Sequence, residues 1–296
     1  MLQNTFRHIE KIGPTTEFKL WEAGALTWEE GLEIPFELLP VRKPIDQALH
    51  ASIEKLEEGD PAWFSARLPG SECWRLFPEF REKVAYIDIE TDGGSSENGM
   101  ITTISLWDGS NLYHYVHGDN LRDFQDDILD YSLLVTWNGA SFDIPFIESW
   151  YRTTLPHAHI DLRHVLNSLG YRGGLKSVEQ QFEISRGMLD GVDGYTAVLL
   201  WKDYVNNGDS RALETLLAYN SLDVVNLERL MVEAYNLKIE ETPFALVNEI
   251  PLPVVPDDLG VQPHPESLQK VRETLMAREN YLRDLARHLI SGRESG

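Results

Sequence analysis

The sequence predicts an α/β protein whose core is a mixed β-sheet flanked by helices. Residues 84–90, VAYIDIE, are rich in β-forming side chains, and residues 101–107 and 112–116 form the next two strand patterns. Residues 133–137 are short and apolar, which is typical of a buried central strand. Helical patterns then follow over 144–151, 162–169, 175–182, 194–205 and 211–237. Three strands joined by hairpins, a fourth after a crossing helix and a series of helices indicate helices packed on both faces of one sheet.

Composition and patterning divide the 296 residues into three segments. Residues 1–82 are predicted as a small helical domain, with breaks at Gly13 and Gly24 and a helix over 44–58. Residues 83–237 hold the predicted sheet and its helices. Residues 238–296 are predicted as a Pro-rich extended linker over 243–264 and an amphipathic C-terminal helix, whose apolar positions include Leu268, Val271 and Leu275.

The composition excludes several classes of protein. With 42% hydrophobic and 25% charged residues, the chain is a folded globular protein rather than a disordered one. A single cysteine, Cys73, excludes a disulfide framework and a Cys-based zinc site. The chain has no apolar run near the ~20 residues that cross a bilayer, and MLQNTFRHIEK lacks a secretory pattern. A cytoplasmic location without membrane association is therefore expected.

The acidic residues are concentrated in the middle of the chain. The net charge is −22, and residues 84–236 account for −14 of it, with 9 basic and 23 acidic side chains. From Val84 to Leu121 there is no Lys or Arg. A broad basic surface for phosphates is thus excluded there. Nucleic acid could still bind if divalent cations supplied the positive charge.

Two acidic side chains stand on the first predicted strand. Asp88 and Glu90 are two residues apart, so both point to the same face of the sheet. Two ionised carboxylates side by side repel each other, and a cation between them relieves that repulsion. Taken alone, however, such pairs also occur by chance on edge strands.

Asp143 follows the fourth predicted strand. The strand ends at Trp137, a turn begins at Asn138, and Pro145 stands near the first position of the next helix. Asp143 is thus expected at the mouth of a strand-to-helix turn, where α/β folds gather their chemistry. The alternative is a plain helix N-cap at Ser141 or Asp143.

The last acidic position lies in the longest helical pattern. Tyr219 and Asp223 are four residues apart and share one helix face. Asp223 stands between Leu222 and Val224, at the edge of an apolar stripe. An aspartate in that position is either a structural acid with a partner or a ligand.

In this order and on these elements, the acidic residues resemble those of the DEDD superfamily of 3′–5′ exonucleases, which have an RNase H-like fold. The family's three motifs, Asp-x-Glu, Asn with a following Phe/Tyr-Asp pair, and Tyr-x-x-x-Asp, match in turn Asp88 and Glu90, Asn138 with Phe142 and Asp143, and Tyr219 and Asp223. Ala218 stands where the histidine branch of the family has its histidine, so the chain resembles the tyrosine branch.

The resemblance covers roughly residues 84–236. The sequence around Asp88 and Asp143 is also similar to that of the proofreading domain of family B DNA polymerases, although the chain is too short for a polymerase. The segments 160–164, 174–179 and 220–223 look closest to stand-alone exonuclease-like domains of the YprB type.

The resemblance implies hydrolysis of single-stranded DNA or RNA from a 3′ end, giving nucleoside 5′-monophosphates by a two-metal mechanism. The implied ligands of two Mg²⁺ or Mn²⁺ ions are four carboxylates: Asp88, Glu90, Asp143 and Asp223. Oxygen ligands favour these ions over zinc. Tyr219 would orient the attacking water. The implied substrate contacts are Asn138, Phe142 and Lys176.

Other possibilities stay open at this point. The protein could be a non-catalytic nucleic-acid-binding or scaffold protein with the same fold, or a structure-specific endonuclease. Residues 5–32 resemble a degenerate helix-hairpin-helix in which Pro14, which has no N–H to offer a phosphate, replaces the usual second glycine. The repulsion argument further predicts that Asp88 and Asp223 can each be removed without loss of stability in EDTA.

Overall fold

The computed structural model describes residues 1–34 and 42–291 of the chain. Residues 35–41 of the predicted N-terminal domain and residues 292–296 of the predicted C-terminal segment lie outside the described residues. The strands are β1 (Val84–Thr91), β2 (Ile101–Trp107), β3 (Leu112–Val116), β4 (Leu133–Thr136) and β5 (Ala158–Asp161). The α-helices are α1 (Pro14–Glu22), α2 (Trp28–Glu33), α3 (Arg42–Glu57), α4 (Pro61–Ser65), α5 (Phe77–Phe80), α6 (Phe124–Asp127), α7 (Asp143–Tyr151), α8 (Leu162–Ser168), α9 (Leu175–Gln181), α10 (Gly194–Asn207), α11 (Ser210–Glu240), α12 (Ala245–Asn248) and α13 (Pro265–Ser291).

The predicted mixed sheet is confirmed. Its strand order is β3-β2-β1-β4-β5. The pairs β1–β2 and β2–β3 are antiparallel, whereas β1–β4 and β4–β5 are parallel. Loops without helix, over 92–100 and 108–111, join the antiparallel strands, whereas helical crossovers through α6 and α7 lead to the parallel ones. The four predicted strands agree with the structure to within one residue at each end, but β5 was not predicted. Its four residues include His159, which interrupts the apolar pattern.

The two faces of β1 have different surroundings. Ile87 and Ile89 point into an apolar cluster with Phe146 and Ile147 of α7. Because side chains alternate along a strand, Asp88 and Glu90 point to the opposite face. There the long helix α11 packs across β1 and β2, and its Asn220 bonds to Asp88.

The N-terminal helices share a core with that second face. Trp28, Phe64 and Trp74 are buried in the same apolar cluster as Tyr86 of β1 and Tyr235 of α11. Residues 5–13 contain turns and no helix, so α1 and α2 are the two helices within the segment that resembles a helix-hairpin-helix. The domain boundaries and any nucleic-acid binding by this segment stay predictions.

The C-terminal helix α13 docks by its first turns. Leu268 and Val271 are buried, and Lys270 Nζ lies 2.5 Å from Asp203 Oδ1 of α10. The predicted extended linker before it is interrupted by one turn of helix, α12. Among the described residues, no helix combines the length and the apolar character needed to cross a membrane.

Candidate active site

The carboxylates of β1 are held on the face that α11 covers. Glu90 is buried and Asp88 partly buried. The Nδ2 group of Asn220 donates to Oδ2 of Asp88 at 2.6 Å, and Asn220 Oδ1 accepts from Thr103 of β2. Asn220 therefore fixes the orientation of Asp88, a role that the sequence analysis did not assign.

Asp143 is the first residue of α7 and reaches back to β1. Its Oδ1 accepts from the backbone N–H of Ile89 at 3.1 Å, which places it beside the β1 carboxylates. The residue in the N-cap position is Phe142, and no side chain caps this helix. The N-cap alternative for Ser141 or Asp143 is therefore wrong.

The turn before α7 is shaped by Asp161 at the end of β5. Its two carboxylate oxygens accept from the N–H groups of Asn138 and Ala140 at 2.8 and 3.2 Å, and one also caps α8. Asn138 adopts a left-handed φ of 62°, and its side-chain oxygen accepts from Arg163. A Cβ at Gly139 would overlap Thr136 Oγ1, so only glycine fits this turn. Asp161 thus holds the loop that presents Asn138 and Phe142.

Asp223 and Tyr219 lie one turn apart on the face of α11 that meets β1. One carboxylate oxygen each from Asp88, Glu90 and Asp223 lies within 4.8 Å of the other two. Asp143 is not part of that close group but lines the same cleft. The structure thus brings the four predicted carboxylates to one place, with three of them tightly clustered.

The clustering shifts the protonation of these groups. Burial raises the pKa of Asp88 well above its usual range, and the nearby carboxylates of Asp223 and Asp143 raise it further. Burial also raises the pKa of Glu90 and brings that of Asp143 to about 7. Raised pKa values of this kind mean that the charged forms are unfavourable without a cation to neutralise them. Three oxygen ligands at this spacing therefore fit a hard divalent cation.

Arg186 is a buried arginine beside the carboxylates that the sequence analysis missed. It lies between α9 and α10, and its Nη2 donates to Asp223 Oδ1 at 2.5 Å and to Glu179 Oε1 at 2.6 Å. Burial raises the pKa of Asp223, but this guanidinium opposes the shift. The local sequence ISRGM carries no signal for such a role, since only the fold brings Arg186 to α11.

Tyr219 and Lys176 form a pair at the edge of the cluster. Lys176 Nζ donates to the Tyr219 hydroxyl at 2.7 Å and lies 4.5 Å from the centre of the ring. Burial, followed by the negative charges of Asp223 and Glu90, raises the pKa of Tyr219, so the phenol stays protonated. Burial lowers the pKa of Lys176.

The four carboxylates, Tyr219 and Lys176 all line one cleft of about 1160 Å³. Phe142 stands at it with 42% of its surface exposed, and Trp137 and Tyr195 also contribute to its walls. The basic residues that line it all come from α8, α9 and the segment between them: Arg163, Arg172 and Lys176. One side of the cleft is thus basic and its floor is acidic, although residues 84–236 contain only nine basic side chains.

Comparison with protein-family models supports the fold. A family model described as the RNase_H superfamily matches residues 85–235. A solved structure of the family B DNA polymerase from the hyperthermophilic archaeon Pyrobaculum calidifontis is similar at 15% identity and a TM-score of 0.40, over 53% of this chain and 24% of that one. No curated protein matches.

Proposed function

The chain belongs to the RNase_H superfamily, and on that premise we propose that it is a metal-dependent 3′–5′ exonuclease. Its substrate would be single-stranded DNA or RNA, and its products nucleoside 5′-monophosphates. The observation that carries the proposal is the group of Asp88, Glu90 and Asp223 oxygens within 4.8 Å of one another at the floor of the cleft.

Two Mg²⁺ or Mn²⁺ ions would be held by the four carboxylates. Asp88 would be shared between the ions, Glu90 and Asp223 would complete the first set of ligands, and Asp143 would serve the second. When bound, such ions supply an activated water and neutralise the charge that develops on the phosphate. The raised pKa values of Asp88 and Glu90 support this assignment, because a cation would relieve the repulsion that causes part of them.

Tyr219 would orient the attacking water rather than remove its proton. Its phenol is held neutral by burial and by the nearby carboxylates, so it is a poor base at pH 7. Because Lys176 donates to the phenol oxygen, the Tyr219 hydroxyl is free to donate its own proton toward the cleft. Two positions support an assignment to the tyrosine branch of the DEDD exonucleases, nearest to the YprB type. Tyr219 stands four residues before Asp223, and Ala218 occupies the position of the histidine in the other branch.

The walls of the cleft suit a single strand. The exposed ring of Phe142 can stack on a terminal base, as aromatic side chains do in single-strand binding. Arg172 and Lys176, which line the same cleft, are proposed phosphate contacts, and Asn138 is a further proposed substrate contact. Cations bound at the acidic floor would remove the unfavourable field that an acidic protein presents to a polyanion.

The test is a cleavage assay with 5′-labelled single-stranded DNA and RNA of one sequence, in Mn²⁺, Mg²⁺ and EDTA. We expect a metal-dependent ladder of products that shortens from the 3′ end. Asp88→Asn should abolish it, whereas Asp119→Asn, a change of an exposed acid in the loop after β3, should leave it intact.

Other outcomes would overturn the proposal. Internal cuts that release oligonucleotides would identify an endonuclease on the same fold. Intact substrate that still binds the protein would favour a non-catalytic nucleic-acid-binding or scaffold protein. Full activity of Asp88→Asn would remove the carboxylate cluster from the mechanism.

A further inference from the structure

A network of buried polar side chains stands behind the carboxylate cluster. Arg186 Nε and Nη2 donate to the two oxygens of Glu179, each at 2.6 Å, and Nη2 also reaches Asp223. Glu179 additionally accepts from Asn226 of α11 at 2.9 Å. Arg186, Glu179 and Asn226 are all at least nine-tenths buried. Such a network fixes Arg186 before any ligand arrives, because the side chains of Arg186 and Glu179 are each held by more than one hydrogen bond.

Three of the four carboxylates that line the cleft each use one oxygen in a hydrogen bond with the protein. Asp88 uses Oδ2 toward Asn220, Asp143 uses Oδ1 toward the N–H of Ile89, and Asp223 uses Oδ1 toward Arg186. For Asp88 and Asp223, the other carboxylate oxygen accepts no hydrogen bond from the described residues. These two aspartates are therefore each oriented through one oxygen, and the second oxygen is left for the cleft.

We propose that Arg186 is a positioning residue of the metal centre, which holds Oδ1 of Asp223 on the protein side and reserves Oδ2 for a divalent cation. The inference rests on the proposed function only in assuming that such a cation binds these carboxylates. Glu179 has the supporting part, because its two oxygens bind Nε and Nη2 of the guanidinium and so direct the second N–H of Nη2 toward Asp223.

The geometry of the guanidinium matters more than its charge. An arginine can bind two carboxylates at once through its planar fork, whereas a lysine ammonium is a single point charge. Arg186→Lys would keep the positive charge beside Asp223 but could not hold Glu179 at two points. Groups that orient metal ligands from behind typically change metal affinity by about 10–100-fold when they are altered.

The test measures Mn²⁺ binding by titration calorimetry in the full chain, without nucleic acid. For Arg186→Lys we expect a dissociation constant raised by about tenfold, with an unchanged circular dichroism spectrum. The matched control is Arg229→Lys, which alters an arginine of α11 that bonds to the Phe182 carbonyl and lies near Glu233. It should bind Mn²⁺ like the original chain, and a folded Arg186→Lys protein that also does so would overturn the proposal.

A second variant keeps the test decisive if Arg186→Lys does not fold. Glu179→Gln has the same shape but loosens the grip on Arg186, and it should raise the Mn²⁺ dissociation constant severalfold. An unchanged constant in folded Glu179→Gln would contradict the proposal. If the original chain binds Mn²⁺ but cleaves no nucleic acid, the proposed function fails while the role of Arg186 can still be measured.

Discussion

The ammonium of Lys176 donates to the hydroxyl of Tyr219 at 2.7 Å and lies over the same ring, 4.5 Å from its centre. Lys176 is the second residue of α9, and Tyr219 lies 43 residues later, in the first third of α11. The contact fixes the phenol in one orientation at the edge of the carboxylate cluster. Part of the effect of Lys176 on catalysis should therefore pass through Tyr219.

We expect Tyr219→Phe to lower kcat by about 10–100-fold, because an oriented water loses its hydrogen-bond partner. Lys176→Met should cause a similar loss. If the two side chains act through one hydrogen bond, the double variant should be little worse than either single variant, and kcat at saturating Mn²⁺ measures this. Losses that multiply would instead assign Lys176 to direct contact with substrate phosphate.

The stabilities of Asp88→Asn and Asp223→Asn should differ in EDTA. Sequence alone predicts the same result for both positions, since each change removes a repelling charge. In the structure, however, Asp223 is paired with Arg186, whereas Asp88 has only the neutral Asn220. We expect Asp88→Asn to be more stable than Asp223→Asn by about 1 kcal/mol or more, as measured by urea unfolding. Equal free energies of unfolding would contradict this view of Arg186.

The metal-free protein should lose stability as the pH rises from about 4 to about 7. Burial raises the pKa of Asp143 to about 7, above the ~3.9 expected for an aspartate in the unfolded chain. Between these values the folded state binds more protons, so its free energy of unfolding falls with increasing pH. Asp143→Asn removes this contribution, and its Oδ1 can still accept from Ile89.

The measurement is urea unfolding in EDTA at pH 5 and pH 8, for the original chain and Asp143→Asn. The stability of Asp143→Asn relative to the original chain should increase by about 1–4 kcal/mol between the two pH values. Parallel pH dependence in the two proteins would show that Asp143 titrates normally. In saturating Mn²⁺, the free energy of unfolding of the original chain should depend much less on pH between 5 and 8, because the cation replaces the proton.

Arg172→Gln should weaken binding of a single strand and reduce its salt dependence. Arg172 is exposed and lines the basic wall of the cleft. Loss of one phosphate contact should make the slope of log K against log salt concentration less steep by about 0.7. The measurement uses an Asp88→Asn background so that the strand stays intact. Arg122→Gln, at an exposed position between β3 and β4, serves as the control, and an equal change there would argue against a specific contact.

The local elements of the sheet domain could be predicted because their signals are local. The period-two pattern around Asp88 defines β1, and the apolar run at 133–136 defines β4. The spacing of Tyr219 and Asp223 places both on one face of α11. These patterns depend on neighbours two to four residues away, which the sequence displays directly. Strand β5 was not predicted, because four residues that include a histidine do not make a recognisable strand pattern.

What the sequence alone determined was the set of strands β1 to β4, the main helices and the residue types that stand at their ends. Only the tertiary structure decided which groups support those residues: Asn220 behind Asp88, Asp161 behind the turn at Asn138, and Arg186 behind Asp223. These contacts join positions 23 to 132 residues apart. The periodicity of the sequence does not predict these contacts. They form when α11 and the loops pack on the sheet, because buried polar groups then need hydrogen-bond partners.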